Sequence, residues 1–406
     1  MNIAVIGGGA SGMMAGVIAG SNGATVTLYE KNEKLGKKIY ITGKGRCNCT
    51  NFCDANEFLS SIVTNSRFLY SSVNAFTPQD FVDFLNANGL RTKVERGNRV
   101  FPDSDKASDV TKTFESLLRR YNVIISLNTT VNSISVIENG VLLHTITGIV
   151  QYDKVIIATG GISYPSTGST GDGYIFAKSI SHTIVEPKPS LVGIDLLDDF
   201  GLQGVTLNNV ALTVKNKGKE IYREFGEMLF THTGISGPIV LTLSALINKV
   251  SLKDCELFLD FKPALTSEQL DLRVQRDFSE LSNKIFANAL FKLLPAKVSE
   301  IVVAKSCINP NKSVNQITVE ERKSIVTLLK AFPLRINKLR PIEEAVVTSG
   351  GINVTEINPK TMQSKLCHNV YFVGEVLDVD GLTGGFNLQI AFSTGYVAGI
   401  SAAKGE

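Results

Sequence analysis

Only four histidines and six cysteines occur in the 406 residues. Cysteine this sparse does not describe a secreted disulfide scaffold, and cytosolic thiols are normally reduced. Cys47, Cys49 and Cys53 alone cluster, and the histidines, His144, His182, His232 and His368, all lie far from them. A four-ligand zinc site is therefore short of ligands, and no metal is expected. Charge of one sign is also lacking. The formal net charge is +3 without a dense Lys/Arg block, so neither a nucleic-acid partner nor a polybasic membrane patch is expected. No apolar run approaches the roughly 20 residues that span a bilayer, and no basic leader with a cleavage site precedes the first apolar segment. A cytoplasmic protein without a membrane partner is expected. Neither a Ser/His/Asp order nor an H-E-x-x-H motif supports a hydrolase.

What is present is 43% apolar and 19% charged residues, the composition of an ordinary globular chain long enough for two or three domains. "NIAVIGGGASGMMAGVIAGSNGATVTLYE" reads as a buried strand, a glycine turn, a small-residue helix and a second strand ending at Glu30. Gly7, Gly9 and Gly12 fit G-x-G-x-x-G, and Glu30 follows at the distance of a ribose-binding carboxylate. Gly7 permits the tight turn, Gly9 clears room for phosphates, and Gly12 lets the helix pack on the strand. A diphosphate can then meet the free N–H groups at the helix start. The competing reading is an ordinary glycine turn with a surface Glu30.

Further along, Asn139-Gly140 marks a hairpin inside a β-meander. "DKVIIATGG" reads as a buried strand whose end, Ala158, Thr159 and Gly160, would lie beside the first glycine turn if the two strands are parallel neighbours. From about Leu191 the pattern alternates, as in Val210, Leu212 and Val214, which predicts antiparallel strands. Phe286, Leu290, Leu293 and Leu294 fall on one face of a predicted helix. The chain then returns to its opening style with a strand at Tyr371 to Val373, the glycine loop after Gly374-Glu375, and a helix starting near Asn387.

These motifs resemble flavoproteins of the glutathione-reductase and fumarate-reductase type. "KKIYITGKGRCNCTN", "GISYPSTGSTGDGY", "HTGISGP", "VVTSGGI", "TMQSKL" and "VGEVLDVDGLTGGFNLQ" are more closely similar to three-domain bacterial FAD-dependent oxidoreductases, a group that includes an aminoacetone oxidase and a bile-acid-pathway enone reductase. The resemblance implies an α/β fold: a Rossmann-like FAD-binding domain split between 1–190 and 343–406, an inserted β-rich substrate domain at 191–262 and 333–342, and a helical domain at 263–332. It implies that Glu30 holds the adenosine ribose, that Ser11 and the backbone around Gly9 and Ala10 hold the diphosphate, and that Val131 meets the adenine through its backbone. Glu375, after Gly374, would meet the ribityl or diphosphate region. Phe386, Asn387 and Leu388, after Gly385, would aim N–H groups at the flavin N1/O2 edge, where reduced flavin is negative. Lys31 and Thr42 complete the implied cradle.

The stretch "ITGKGRCNCTN" admits a metal knuckle, a redox dithiol or an anion cradle. With only Asn48 between Cys47 and Cys49, a disulfide would close a small, strained ring. The cations favour the cradle. Lys37, Lys38, Lys44 and Arg46 crowd one loop, and like charges at ~4 Å repel by about 4 kcal/mol per pair at an effective dielectric of about 20. An FAD diphosphate would compensate them, with Gly43 and Gly45 letting backbone approach; a solvated face is the alternative for Lys37 and Lys44. Cys47 is then either a small packed neighbour of the flavin or a reactive thiol. His232, before the predicted helix at Pro238, and Tyr164 are the candidate catalytic groups. A surface histidine and core packing are the alternatives.

The expected function is hydride transfer between FAD and a small organic substrate, with NADH or NADPH as a transient reductant, because only one G-x-G-x-x-G is present. An oxidase that makes hydrogen peroxide from an amine or aminoketone, and a flavin-binding protein with little turnover, are the alternatives. Nothing in the sequence sets the oligomeric state.

Overall fold

The computed structural model describes residues 1–405. Two compact units emerge: Met1–Ser190 together with the segment from Pro341 onward, and Leu191–Arg340.

The first unit is built on a five-stranded parallel sheet, ordered Val370–Phe372, Lys154–Ile157, Asn2–Ile6, Thr25–Tyr29, Ile124–Ser126. Its central strands are almost continuously buried, as strands covered on both faces must be. The chain leaves the central strand through the glycine turn into the helix Ala10–Ser21. The C-terminal helix Phe386–Lys404 packs along that helix with very small side chains between them. A methyl on Gly395 would lie 2.4 Å from the Ser11 carbonyl oxygen, and one on Gly399 would lie 2.8 Å from that of Ala15. On its other side the C-terminal helix meets an aromatic cluster, where Phe81 stacks on Phe392 at 4.0 Å and Phe76 on Tyr396 at 4.4 Å.

The meander is present as Val131–Ile137, Gly140–Thr145 and Gly148–Tyr152. Its first turn sits one residue earlier than expected, at Glu138-Asn139, because Gly140 already pairs with Ile137 and presses on the Tyr152 carbonyl.

The second unit carries a seven-stranded antiparallel sheet, with strands ordered 332–334, 255–260, 206–216, 219–230, 234–236, 194–196 and 336–339. Helices Pro238–Ile247, Ser267–Glu280, Ala296–Lys305 and Val319–Lys330 share one core with those strands. The helix expected over 286–294 is absent. Phe286–Asn288 forms a single 3₁₀ turn and the chain then turns irregularly up to Pro295. Proline disfavours a helical residue before it, while Phe286, Leu290, Leu293 and Leu294 remain buried, so the periodicity reported burial rather than helix.

One polar cluster stands apart in the first unit. His182 is buried, with Nδ1 2.9 Å from Glu356 and Nε2 2.7 Å from Ser364 Oγ. Ser364 Oγ already accepts the N–H groups of Leu366 and Cys367, so its proton points to Nε2 and the imidazole is neutral. Burial accordingly lowers the pKa of His182, against the opposing pull of Glu356. The unfolded chain then takes up a proton before the native state does. Thermal unfolding should show stability that is full above the ordinary histidine range near ~6.5 and falls as pH drops through it; His182→Gln should remove that part of the profile. A second outcome concerns the helix pair. Gly395→Ala should lower the urea unfolding free energy by about 1–3 kcal/mol, since the new methyl meets backbone that cannot yield.

Candidate functional site

Four parallel strands end at one edge of the sheet, and the residues that follow them form the site. Gly7 follows the central strand with φ +107, and a Cβ there would lie 2.4 Å from the Ala158 carbonyl oxygen. Only glycine fits so close an approach. Gly12 touches the same turn, since its Cβ would stand 1.9 Å from the Gly7 oxygen. Gly9 is the contrast: a Cβ there meets nothing within 4 Å. It caps the helix Ala10–Ser21 with no side chain bonded to the first N–H groups and no acidic residue in the first turn. The glycine turn thus presents an uncapped, positive helix end to open space, the arrangement that binds a diphosphate.

Glu30 follows the strand Thr25–Tyr29 and is buried. Its Oε2 accepts the Gly8 N–H at 2.8 Å, and its Oε1 accepts the Asn32 N–H at 2.9 Å. The Thr129 N–H donates to the Glu30 carbonyl at 3.0 Å, which brings the start of the Val131 strand alongside. After the strand Lys154–Ile157 come Ala158, Thr159 and Gly160, and Thr159 Oγ1 is buried without a hydrogen-bond partner.

The start of the C-terminal helix completes the edge. Gly385, at φ +101, lies against the Thr50 backbone, and Gln389 accepts the Thr50 hydroxyl at 2.7 Å. Asn51 donates to the Gly384 carbonyl at 3.1 Å. Asn387 folds back, accepting the Gly381 N–H and donating to its carbonyl. This helix end also has no side-chain cap and no acidic first turn, so the N–H groups around Phe386, Asn387 and Leu388 lack a side-chain acceptor.

The two helices run parallel, because Gly395 meets Ser11 and Gly399 meets Ala15. Their starts, Phe386 and Ala10, are therefore offset by eight residues, or about 12 Å at the helical rise. Two positive ends spaced along one edge suit a ligand with a diphosphate in its middle and a second electron-rich group at its end.

The opening loop differs from expectation in its charges. Each of three crowded cations already has carboxylate partners: Lys37 has Glu33 at 3.0 Å, Lys38 has Glu375 at 2.7 Å, and Arg46 has Glu95 and Asp105. Arg46 also lies 4.1 Å over the Phe101 ring and holds the Glu95 carboxyl below its usual range. No ligand is needed to neutralise this loop, because carboxylates do so, Glu33 from four residues away and Glu95, Asp105 and Glu375 from distant parts of the chain. Lys31 is likewise held by Asp172 at 2.7 Å, while Lys44 is exposed. Glu375 joins three segments by accepting Lys38, the Ser163 hydroxyl and the Thr348 N–H. Thr42 bonds locally to the Ile39 carbonyl, and Gly43 and Gly45 take left-handed backbone.

Cys47 and Cys49 are free and fully buried, with their sulfurs 3.8 Å apart. The hydrogen bond to Cys47 and burial push the Cys49 thiol well up, away from thiolate. Asn48 Oδ1 is buried without a partner. Sequence reasoning overlooked Thr50, Asn51 and Gln389 as the clasp between this loop and the C-terminal helix; their traces were "CTN" at the end of one quoted motif and the final Gln of "VGEVLDVDGLTGGFNLQ". Tyr164 is half-buried in the first unit, its N–H donating to the Glu343 carbonyl. His232 lies exposed on a turn of the second unit, so the two candidate catalytic groups belong to different units.

The glycine cradle, the buried carboxylate of Glu30, the two uncapped helix ends and the unpartnered Thr159 and Asn48 oxygens fit an FAD molecule. Comparison with known proteins agrees. Residues 1–401 match the model described as HI0933-like protein Rossmann domain. The chain is 31% identical to a 3-dehydro-bile acid delta(4,6)-reductase of Clostridium scindens, covering 99% of both. It is 30% identical to a ribosomal RNA dihydrouridine synthase of Escherichia coli, covering 97% of this chain and 95% of the relative. Among solved structures, a flavocytochrome c3 fumarate reductase in its open conformation shares the fold at TM-score 0.54 and 16% identity, over 99% of this chain and 78% of that one. A 3-ketosteroid delta1-dehydrogenase from Sterolibacterium denitrificans does so at 0.53 and 13%, over 100% and 99%. The chain belongs to the HI0933-like Rossmann family and is an FAD-dependent oxidoreductase.

Proposed function

We propose that this protein is a reductase that adds hydride to a ring carbon–carbon double bond conjugated with a carbonyl. The observation that carries the reading is the uncapped start of the C-terminal helix, offset by about 12 Å from the uncapped helix at the glycine turn. A positive end at that position favours the negative charge of a reduced flavin ring. Support for the substrate class comes from the relatives' names. A bile acid delta(4,6)-reductase and a dihydrouridine synthase each saturate such a bond.

FAD, when bound, supplies the hydride, which goes to the β-carbon of the acceptor. Glu30 would hold the ribose, the Gly9 turn would receive the diphosphate, and the N–H groups at 386–388 would stabilise negative charge on the reduced flavin. The α-carbon needs a proton, for which Tyr164 and His232 are the candidate donors. A nicotinamide delivers electrons transiently, since the fold of the first unit has one glycine fingerprint only among the described residues.

Gly9→Ala tests the cradle. Its methyl has room in the protein, so the apoprotein should fold with an unchanged midpoint while FAD binding weakens about tenfold or more, roughly 1.4 kcal/mol. The ratio of flavin to protein absorbance reads this directly. For the reaction, FAD-loaded protein reduced anaerobically with NADH or NADPH should be reoxidised by a cyclic enone or a uridine-containing RNA, with stoichiometric loss of the double bond. Reoxidation by oxygen alone, with peroxide as the product, would overturn the reductase reading in favour of an oxidase.

A further inference from the structure

Asp380 lies in the loop that leads into the C-terminal helix, and it is completely buried. Its Oδ2 accepts the Ser190 hydroxyl at 2.8 Å and its Oδ1 the Ser349 hydroxyl at 3.0 Å. Both serines are buried, on the paired strands Ile184–Ser190 and Val347–Ile352. Among the described residues the carboxylate has neither a cation nor a backbone N–H as a partner. Other buried carboxylates are compensated: Asp260 holds Lys330 at 2.7 Å, Asp277 holds Arg273 at 2.8 Å, and Glu30 accepts two backbone N–H groups. Earlier in the same loop Glu375 is paired with Lys38, and Asp378 accepts the Asn65 amide.

A charge buried without a cation is costly, and the need to fasten the loop does not explain it. An asparagine would tie the same two serines, accepting one hydroxyl and donating its amide to the other. What stands close by is the second positive helix end. Gly381 follows Asp380, about 3.8 Å further along the chain. Its N–H donates to the Asn387 side chain at 2.9 Å and its carbonyl accepts from that side chain at 2.8 Å. A methyl on Gly381 would lie 3.2 Å from Phe386 Cβ. Asp380 is therefore on the order of 10 Å from the start of the helix by chain geometry, and the N–H groups there are the nearest positive feature it has.

We propose that Asp380 sets the reducing power of the bound flavin. Its fixed negative charge shares one positive helix end with the flavin ring. A neutral, oxidised ring tolerates that neighbour, whereas the negative charge gained on reduction is repelled by it. At about 10 Å and an effective dielectric of about 20, the repulsion shifts the equilibrium between the two states by about tenfold. Asp380 thereby makes the hydride easier to give away, which suits donation to a conjugated double bond. The inference rests on the reductase reading and adds to it the residue that sets its driving force.

The test is an anaerobic redox titration of the FAD-loaded protein with dithionite beside a dye of known potential, reading flavin and dye absorbance at equilibrium. Asp380→Asn should raise the ratio of reduced to oxidised flavin about tenfold at a given state of the dye, a potential about 30 mV more positive for a two-electron couple. Asp380→Ser, also neutral, should shift it the same way. Ser349→Ala removes a hydroxyl and leaves the charge, so its potential should match the wild type. Neutral variants that titrate like the wild type, or a Ser349→Ala shift equal to that of Asp380→Asn, would overturn the assignment. Loss of FAD from both neutral variants would do so too, since it would give Asp380 to the fold alone. The titration contains no acceptor, so the two ideas fail separately. A shifted potential with no reduction of any double bond supports the role of Asp380 and sinks the reductase. Reduction of a cyclic enone with an unshifted potential in the neutral variants does the reverse.

Discussion

The structure of the first unit depends on backbone contacts so close that no side chain fits between them. Gly12 against Gly7, Gly7 against Ala158, and Gly395 against Ser11 join the central strand, its parallel neighbour and both helices into one body. The last of these contacts also sets the register of the helix pair. It decides how far the start of the C-terminal helix projects past the glycine turn, and so where the second positive helix end stands. Moving that register by one turn would shift the offset by about 5.4 Å, enough to uncouple a diphosphate from the ring at its far end. Small residues in the helix pair therefore act on the cofactor as well as on packing.

Polar ties then hold loops onto this rigid edge. Glu375 collects Lys38, Ser163 and Thr348, three segments separated by more than a hundred residues of chain. Gln389 and Asn51 attach the cysteine loop to the helix start. Such a half-buried carboxylate with a cation and two further donors is well satisfied, and removing one partner would leave the others underused. The candidate site is thus made from distant residues whose bonds are mutually dependent, and the cysteine loop serves chiefly as one wall of it.

What could be read from the chain and what could not follow the range of the interaction. The strand, turn, helix and second strand at Asn2 to Tyr29 carry a local pattern, as do the buried strand at Lys154–Ile157 and the return at Val370–Phe372, because burial on both faces leaves an unbroken apolar run. Gly7, Gly9 and Gly12 were legible for the same reason. The partners of Arg46 were not. Glu95 and Asp105 lie 49 and 59 residues away, and an ion pair leaves no periodicity behind, so four cations in one loop looked uncompensated. The segment 286–294 misled in the opposite direction. Its apolar spacing is real, but Pro295 and a 3₁₀ turn let irregular chain bury the same side chains. Periodicity records which residues are covered, and only the intervening residues decide which backbone covers them.

The relatives show why the substrate is harder to read than the cofactor. Proteins at 31% and 30% identity, each matched over nearly its whole length, are named for a bile acid and for ribosomal RNA. A fold that tolerates both must separate what holds FAD from what holds the acceptor. The first unit meets that requirement through contacts that admit only glycine, which leaves the cradle little freedom to vary. The second unit has its own sheet, helices and core, and partly exposed segments such as Ser66–Ala75 lie outside the glycine contacts. Substitutions in those places cost the cradle nothing directly. Acceptor specificity can therefore drift across such surfaces while the flavin site stays the same.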